Sequence, residues 1–534
     1  MIVFNGDIWT GDEENSSAQA MVIEGDKILF VGKNEEVMEL YKDNTDFKIF
    51  DAQNMFITPG FIDSHIHFLM GGERLNSILL KDAKTKDEFI NRIEKHAKSL
   101  PKGNWITGGD WDNINWGGEL PERSWIDHVT PYNPVWISRY DGHSCLANTL
   151  AMKIAGIYDD ENNKFSADDV EGGTIVRDNN GLPTGIFKEN ALKIVFSKIP
   201  FPSFNENKLN IESSMNYVIK HGVTSIHHMT EEGDDARDLE FYESYEKEGK
   251  LRTRIYAAVP IENRHKLAEK LKSQENNSKM LRYGGLKGYI DGSIGSHTAA
   301  FFEDYKDCSG HKGTFVHSGE DLFNWIKEAD DFSLQIFIHA IGDRGINEIL
   351  NIFEKVIEVN GPKDRRWRIE HSQHIKPCDI KRFKDLGVVA SVQPYHLIDD
   401  GRFLKDYLGE DRLKGTYALR SLIDAGVIVA FGSDWFVAPP EPLKTIHAAV
   451  NRLVDGQVFM PEERITVEEA LLGCTLWAAK SVHEEEIKGS LKKGKLADFV
   501  VLDRNILKIN PLNILETNIM MTVMGGQIIY KKDD

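Results

Sequence analysis

The stretch Thr58-Pro59-Gly60-Phe61-Ile62-Asp63-Ser64-His65-Ile66-His67 decides how the rest of the chain reads. Side chains alternate sides along an extended strand, so Asp63, His65 and His67 share one face while Ile62 and Ile66 take the other. Two imidazoles on one strand converge on one ion with little chain entropy left to lose, and imidazole suits zinc and related divalent cations. A bare His-x-His is weak evidence by itself. Its meaning depends on whether further ligands stand at the ends of later strands.

Outward from that stretch, short apolar segments alternate with amphipathic ones, the pattern of parallel βα units. Seven more strands are expected at 222–229, 253–259, 285–291, 334–341, 367–372, 388–393 and 427–433. Eight such strands predict a closed (β/α)8 TIM barrel. The alternative, an open doubly wound sheet, lacks a Gly-rich dinucleotide loop to favour it. The gap from about 70 to 210 is too long for a simple βα connection and predicts an inserted lid subdomain. It holds a helical stretch at 87–98, Trp105, Trp111 and Trp116, and a hairpin at 173–181. Residues 1–56 and 486–534 both read as short strands and turns, with Gly25-Asp26 as one turn. Neither end buries enough to stand alone, so the two are expected to pair into a small β-sandwich bracketing a barrel over 57–485.

The whole chain sets limits on partners. Its 534 residues carry 64 Lys+Arg against 84 Asp+Glu, a formal charge of -20, which repels nucleic acid and anionic membranes. A small-molecule partner fits better, and a homodimer is left open. The N-terminus has no basic segment followed by an apolar signal core, and no apolar run reaches the roughly 20 residues that span a bilayer. A cytoplasmic setting is expected. Cys145, Cys308, Cys378 and Cys474 are scattered without a Cys-x-x-Cys pair and suit reduced thiols.

Four later strands supply candidate ligands at their C-terminal ends, where this barrel builds its active sites: Lys287, His339, His371 and Asp434. Each has a plain structural reading. A lone histidine on an apolar strand is commonly a hydrogen-bonded core residue, a strand-end Asp caps the next helix, and a lysine snorkels. Together with His65 and His67, however, they fall at five strand ends, and that coincidence favours a metal site.

Beyond the opening motif, Leu286-Lys-Gly-Tyr-Ile-Asp-Gly-Ser-Ile-Gly-Ser296, His339-Ala-Ile-Gly-Asp343, Ile369-Glu-His-Ser-Gln373 and Gly432-Ser-Asp-Trp435 closely resemble the amidohydrolase superfamily, and within it amidohydrolase family 3. That family includes N-substituted formamide deformylases and exoenzyme-regulation proteins. The resemblance spans nearly the whole chain, including Asp141-Gly-His143 with Asn148 and the closing Gly494-Lys-Leu-Ala-Asp498. It implies that His65 and His67 bind one metal with Asp434, that His339 and His371 bind a second, and that Lys287, carbamylated by carbon dioxide, bridges the two. Two zinc ions per chain are the expected cofactors. A free lysine, with pKa about 10.4, is mostly protonated, so burial and two cations must favour the carbamate. The implied reaction is attack by metal-activated hydroxide on a linear N-acyl or N-formyl amide, with Asp434 also shuttling the proton. Cyclic amide hydrolysis and deamination are enzymatic alternatives on the same scaffold, and a non-catalytic regulator is the third.

Glu370 and Asp291 are candidates to orient the imidazoles or the lysine loop. His143, Asn148, Trp111, His297, Gln393, His396 and Trp435 are the expected substrate contacts. One position departs from the family: His297 stands where relatives carry arginine, replacing an always-charged fork with a group that titrates near neutrality.

Overall fold

Pro59 and Gly60 mark a passage between two sheets in the computed structural model, which describes residues 1–41, 47–159, 164 and 165, 170–200, 204–230, 237–273 and 278–533. Phe56–Pro59 lies in a six-stranded sheet ordered Gln527–Lys531, Ile519–Met524, Phe499–Leu502, Phe56–Pro59, Asp7–Trp9, Ser17–Ala18. It pairs antiparallel with Phe499–Leu502, Ile57 opposite Val501. A second sheet orders Lys27–Gly32, Ala20–Glu24, Ile2–Phe4, Ile49–Asp51. Val3, Ile23, Ile57, Val501 and Val523, drawn from both chain ends, share one buried core. Gly60 then turns the chain into the barrel. A Cβ there would stand 2.2 Å from Thr224 Oγ1, so only glycine permits the approach.

The barrel strands are β1 (Phe61–Ile66), β2 (Val223–Met229), β3 (Arg254–Pro260), β4 (Leu281–Tyr289), β5 (Gln335–Ala340), β6 (Arg368–His371), β7 (Val389–Val392) and β8 (Val429–Phe431). They neighbour one another in that order, forming the expected eight-stranded parallel barrel. All four buried along their whole length, β3 and β8 carry mostly apolar side chains, whereas β1 and β2 also bury polar ones, among them Asp63, His65, His227 and His228. Beyond their ends, β1 and β8 are tied together: Asp434 N donates to His65 O at 2.7 Å and His67 N to Trp435 O at 2.9 Å. A Cβ on Gly432 would lie 2.5 Å from His65 N, which explains glycine at the head of Gly432-Ser433-Asp434. After β5, helix Asp343–Asn360 buries Ile346, Ile349, Leu350, Phe353 and Val356, a stripe at helical spacing. Asp498 of the closing motif takes a two-pronged ion pair from Arg254 of β3, at 2.7 and 2.9 Å, fastening the C-terminal sheet to the barrel.

The chain divides into two compact units, one of Met1–Phe68, Ser214–Gly288 and Gly319–Asp534, the other of Leu69–Ser213 and Tyr289–Ser318. The second unit has its own sheet, ordered Gly173–Arg177, Pro183–Glu189, Ser144–Ala147, Trp136–Arg139, Gly108–Trp111, Ile78–Leu79. Helix Lys86–Ser99 begins at the Thr85 cap and buries Phe89, Ile93 and Ala97. The hairpin turn is closed by Asp178, whose Oδ1 accepts from the backbone N–H groups of Asn180 and Leu182, both at 2.8 Å. Of the expected insertion, residues 160–163, 166–169 and 201–203 lie outside the described residues.

Sequence reading placed this unit in one stretch. The structure adds Tyr289–Ser318, which follows β4 directly and reaches no helix until Gly319–Asp331. Side chains far away in sequence hold it. Ser293 and Ser296 donate to Asp141 Oδ2 at 2.7 and 3.1 Å, and Thr298 donates to Glu189 Oε1 at 2.5 Å. Among the described residues, no helix is long and apolar enough to cross a membrane.

Candidate metal centre

The C-terminal ends of β1, β4, β5, β6 and β8 bring the six candidate ligands together, none more than 7% exposed. His65 Nε2 and His67 Nε2 lie 3.3 and 3.1 Å from Asp434 Oδ1. The His371 ring is centred 5.0 Å from that of His65 and 4.4 Å from that of His339. Lys287 Nζ is 3.5 Å from His65 Nε2. One donor atom each from His65, His371 and Asp434 fall within 4.8 Å of one another. His371 (φ 70°) and Asp434 (φ 56°) both adopt left-handed backbone. For residues other than glycine this costs about 1–3 kcal/mol and persists where the surroundings impose it, often at functional sites.

Hydrogen bonds select the nitrogen that each imidazole offers. His65 Nδ1 donates to Glu370 Oε2 at 2.5 Å, leaving Nε2 with its lone pair. His371 Nδ1 donates to Gln393 Oε1 at 2.8 Å, with the same consequence. Burial, reinforced by His339, holds the His371 pKa well below the usual imidazole range, which keeps the ring neutral. For Asp434 burial acts the other way, but the surrounding imidazoles, with His67 Nε2 3.1 Å from Oδ1, outweigh it and keep the carboxyl ionised, well below its usual pKa. Imidazole lone pairs, an ionised carboxylate and a buried amine form a donor set that fits zinc or a similar divalent cation.

Asp63, on the same face of β1, is a clamp. Its Oδ1 accepts from the backbone N–H groups of His65 (3.2 Å) and Ser433 (2.9 Å), joining β1 to the end of β8. Burial pushes its pKa up to about 6, against those hydrogen bonds.

Three of the expected substrate contacts stand with the candidate ligands. The His396 ring lies parallel to that of His371, 6.2 Å away, with Nε2 3.9 Å from Asp434 Oδ2. Trp435 follows Asp434 and stacks on Tyr217 at 5.5 Å. Gln393 Nε2 is buried and has no hydrogen-bond partner among the described residues.

Two others receive different roles, correcting the sequence reading. Trp111 is fully buried in the core of the second unit, and its indole N–H donates to Ile137 O at 3.0 Å, so its ring offers no open wall to a substrate. Asn148 caps helix Thr149–Ile154. Its carbonyl accepts from Ala151 N and Val135 N while its amide donates to Thr130 Oγ1 and Asn133 O, which occupies both ends of the side chain. Within that unit His143 Nδ1 faces both Glu189 oxygens at 3.1 Å, and His297 Nε2 pairs with Asp307 at 2.8 Å. Asp291, read as a lysine-loop orienter, accepts from Ala300 N at 2.8 Å and anchors the segment after β4.

Sequence reading passed over Arg368, a fully buried guanidinium two residues before Glu370. The available signal was a charged pair at i and i+2, Arg368 and Glu370, inside an expected barrel strand. It also passed over His227 and His228, although it had recognised their strand.

Comparison with known proteins agrees with this architecture. The sequence profile of the amidohydrolase family matches residues 48–530. Protein LONG AFTER FAR-RED 3 of Arabidopsis thaliana is 37% identical, over 99% of this chain and 91% of its own length. N-substituted formamide deformylase of Arthrobacter pascens is 26% identical over 100% of this chain and 98% of its own. The crystal structure of an uncharacterized metal-dependent hydrolase from Pyrococcus furiosus superposes with a TM-score of 0.74 and 28% identity, covering 95% of this chain and 99% of that one. A match along nearly the entire length, on an eight-stranded parallel barrel, means that the chain belongs to the amidohydrolase family.

Proposed function

We propose that this metal-dependent hydrolase cleaves a non-peptide C–N bond in a small molecule, a linear N-acyl or N-formyl amide. The convergence of His65, His371 and Asp434 donor atoms within 4.8 Å carries the reading. The deformylase relative supports the bond type. In this reading His65, His67 and Asp434 would hold one zinc ion, His339 and His371 would hold a second, and Lys287, carbamylated by carbon dioxide, would serve both. A divalent cation supplies Lewis acidity there, lowering the pKa of water towards about 7 and polarising the carbonyl under attack.

The remaining work falls to the chain. Asp434, ionised and adjacent to the imidazoles, accepts the proton of the attacking water and returns it to the departing nitrogen. Gln393 has its carbonyl committed to His371 and its Nε2–H available for the substrate oxygen. His396 supplies a second polar contact, and Trp435, braced by Tyr217, supplies an apolar wall. The net charge of -20 disfavours polyanionic partners and so is consistent with a small-molecule substrate.

The test is metal per chain by plasma mass spectrometry after reconstitution with zinc and bicarbonate, followed by a panel of formamides, N-acyl amino acids, hydantoins and aminated heterocycles. About two equivalents, falling in Lys287→Ala, with turnover confined to the linear amides, is the expected result. Turnover of hydantoins or heterocycles alone would replace the linear amide with a cyclic one or with deamination. Zinc binding without any turnover would favour a regulator.

A further inference from the structure

One guanidinium at the heart of the barrel is shared by four strands. Arg368 of β6 has no exposed surface. It donates to Ser64 O of β1 at 2.5 Å, His227 Nδ1 of β2 at 2.9 Å and Ser391 Oγ of β7 at 2.9 Å. On its own strand it grips both oxygens of Glu370, at 2.7 and 3.0 Å. Residues 368 and 370 lie on one face of the strand, so the fork and the carboxylate meet directly. Glu370 Oε2 in turn accepts from His65 Nδ1.

Two consequences follow from this chain of contacts. With both oxygens engaged, Glu370 cannot swing round to act as a ligand or a base. Its charge is balanced by Arg368, so it orients His65 without adding an uncompensated anion beneath the ligand set.

We propose that Arg368 and Glu370 form one positioning device that commits His65 to presenting Nε2 to a cation, making cation retention depend on a guanidinium that hydrogen-bonds none of the ligands. The proposal rests on the metal-centre reading above. It adds a claim about His65 that is visible before any metal is added: in the metal-free protein its proton sits on Nδ1.

The experiment uses the full chain, metal-free, as wild type, Glu370→Gln and Arg368→Lys. Zinc affinity is measured by competition with a chromophoric chelator, and the His65 tautomer by nitrogen-15 NMR. A glutamine at 370 turns one N–H donor against another, and a lysine at 368 cannot reach every acceptor at once. Zinc affinity is expected to fall roughly 10–100-fold in Glu370→Gln and by a smaller factor in Arg368→Lys, while metal-free unfolding temperatures change little. An unchanged zinc affinity in Glu370→Gln overturns the device while leaving the metal centre standing. Wild type that takes up no zinc overturns both. Should Glu370→Gln not fold, the wild-type spectrum still decides, because a His65 proton on Nε2 contradicts the proposal outright.

Discussion

The two units each bury an arginine beside a carboxylate and a histidine, and they use the trio differently. In the barrel the sequence is Arg368-Ile369-Glu370-His371, and in the insertion it is Arg139-Tyr140-Asp141-Gly142-His143. Glu370 passes from Arg368 to a histidine whose far nitrogen faces Asp434 and Lys287. Asp141 takes Arg139 at 2.5 Å, the hydroxyls of Ser293 and Ser296, and the backbone N–H of His143. Its contacts end in its own turn and in the segment after β4. One carboxylate therefore orients a candidate metal ligand and the other fastens a loop. Similar ingredients acquire different roles from what lies beyond the carboxylate.

The largest effect is expected at the barrel site: Asp434→Asn should lower kcat/KM roughly 10²–10⁴-fold on whichever amide proves active, with the fold retained by circular dichroism. Arg139→Met tests the other side of the comparison. Leaving Asp141 buried without its partner should cost about 3–5 kcal/mol in urea unfolding, yet zinc per folded chain should stay at the wild-type level. Zinc loss in that variant would break the distinction between the two trios.

Acid should be felt first in the barrel of the metal-free protein. Burial, with Arg412 nearby, holds His374 down at about 3, from the usual 6.5. Between those values the unfolded chain binds more protons than the folded one, so stability is fullest above pH 6.5 and falls as pH drops towards 3. His374→Gln should flatten that slope. Hydrogen exchange followed from pH 7 to pH 4 should show the barrel strands losing protection before the insertion sheet, and the reverse order would count against the comparison. Further down the scale, Asn148→Ala should cost about 0.5–2 kcal/mol through loss of a helix cap, with KM unmoved. His297→Arg, partly exposed and paired with Asp307, should change stability by less than about 1 kcal/mol. A shifted pH–rate profile in that variant would give His297 a place in the chemistry.

Much of the barrel was legible because short, largely apolar segments alternate with amphipathic ones, and a His, Lys or Asp at the end of such a segment stands out. All six candidate ligands stood out for that reason, and the structure brings them to neighbouring strand ends. Asn148 was misread although it carried its own signal, a short polar residue immediately before an apolar helical stretch. Trp111 was harder, since an indole in a wall and one in a core have the same composition around them. The Tyr289–Ser318 segment had no local sign of its allegiance, because Asp141 and Glu189, which hold it, lie over a hundred residues earlier.

By itself the amino-acid order determined the eight strands, the candidate ligand residues at their ends and the pairing of both termini into one β unit. These follow from polarity patterns a few residues long, which survive whatever the rest of the chain does. The tertiary structure alone decided which nitrogen His65 offers, that Arg368 occupies both oxygens of Glu370, that Trp111 and Asn148 are structural, and that the segment after β4 joins the insertion. Each of these depends on distances of about 3 Å between atoms far apart in sequence, and a hydrogen bond weakens steeply once that geometry is lost.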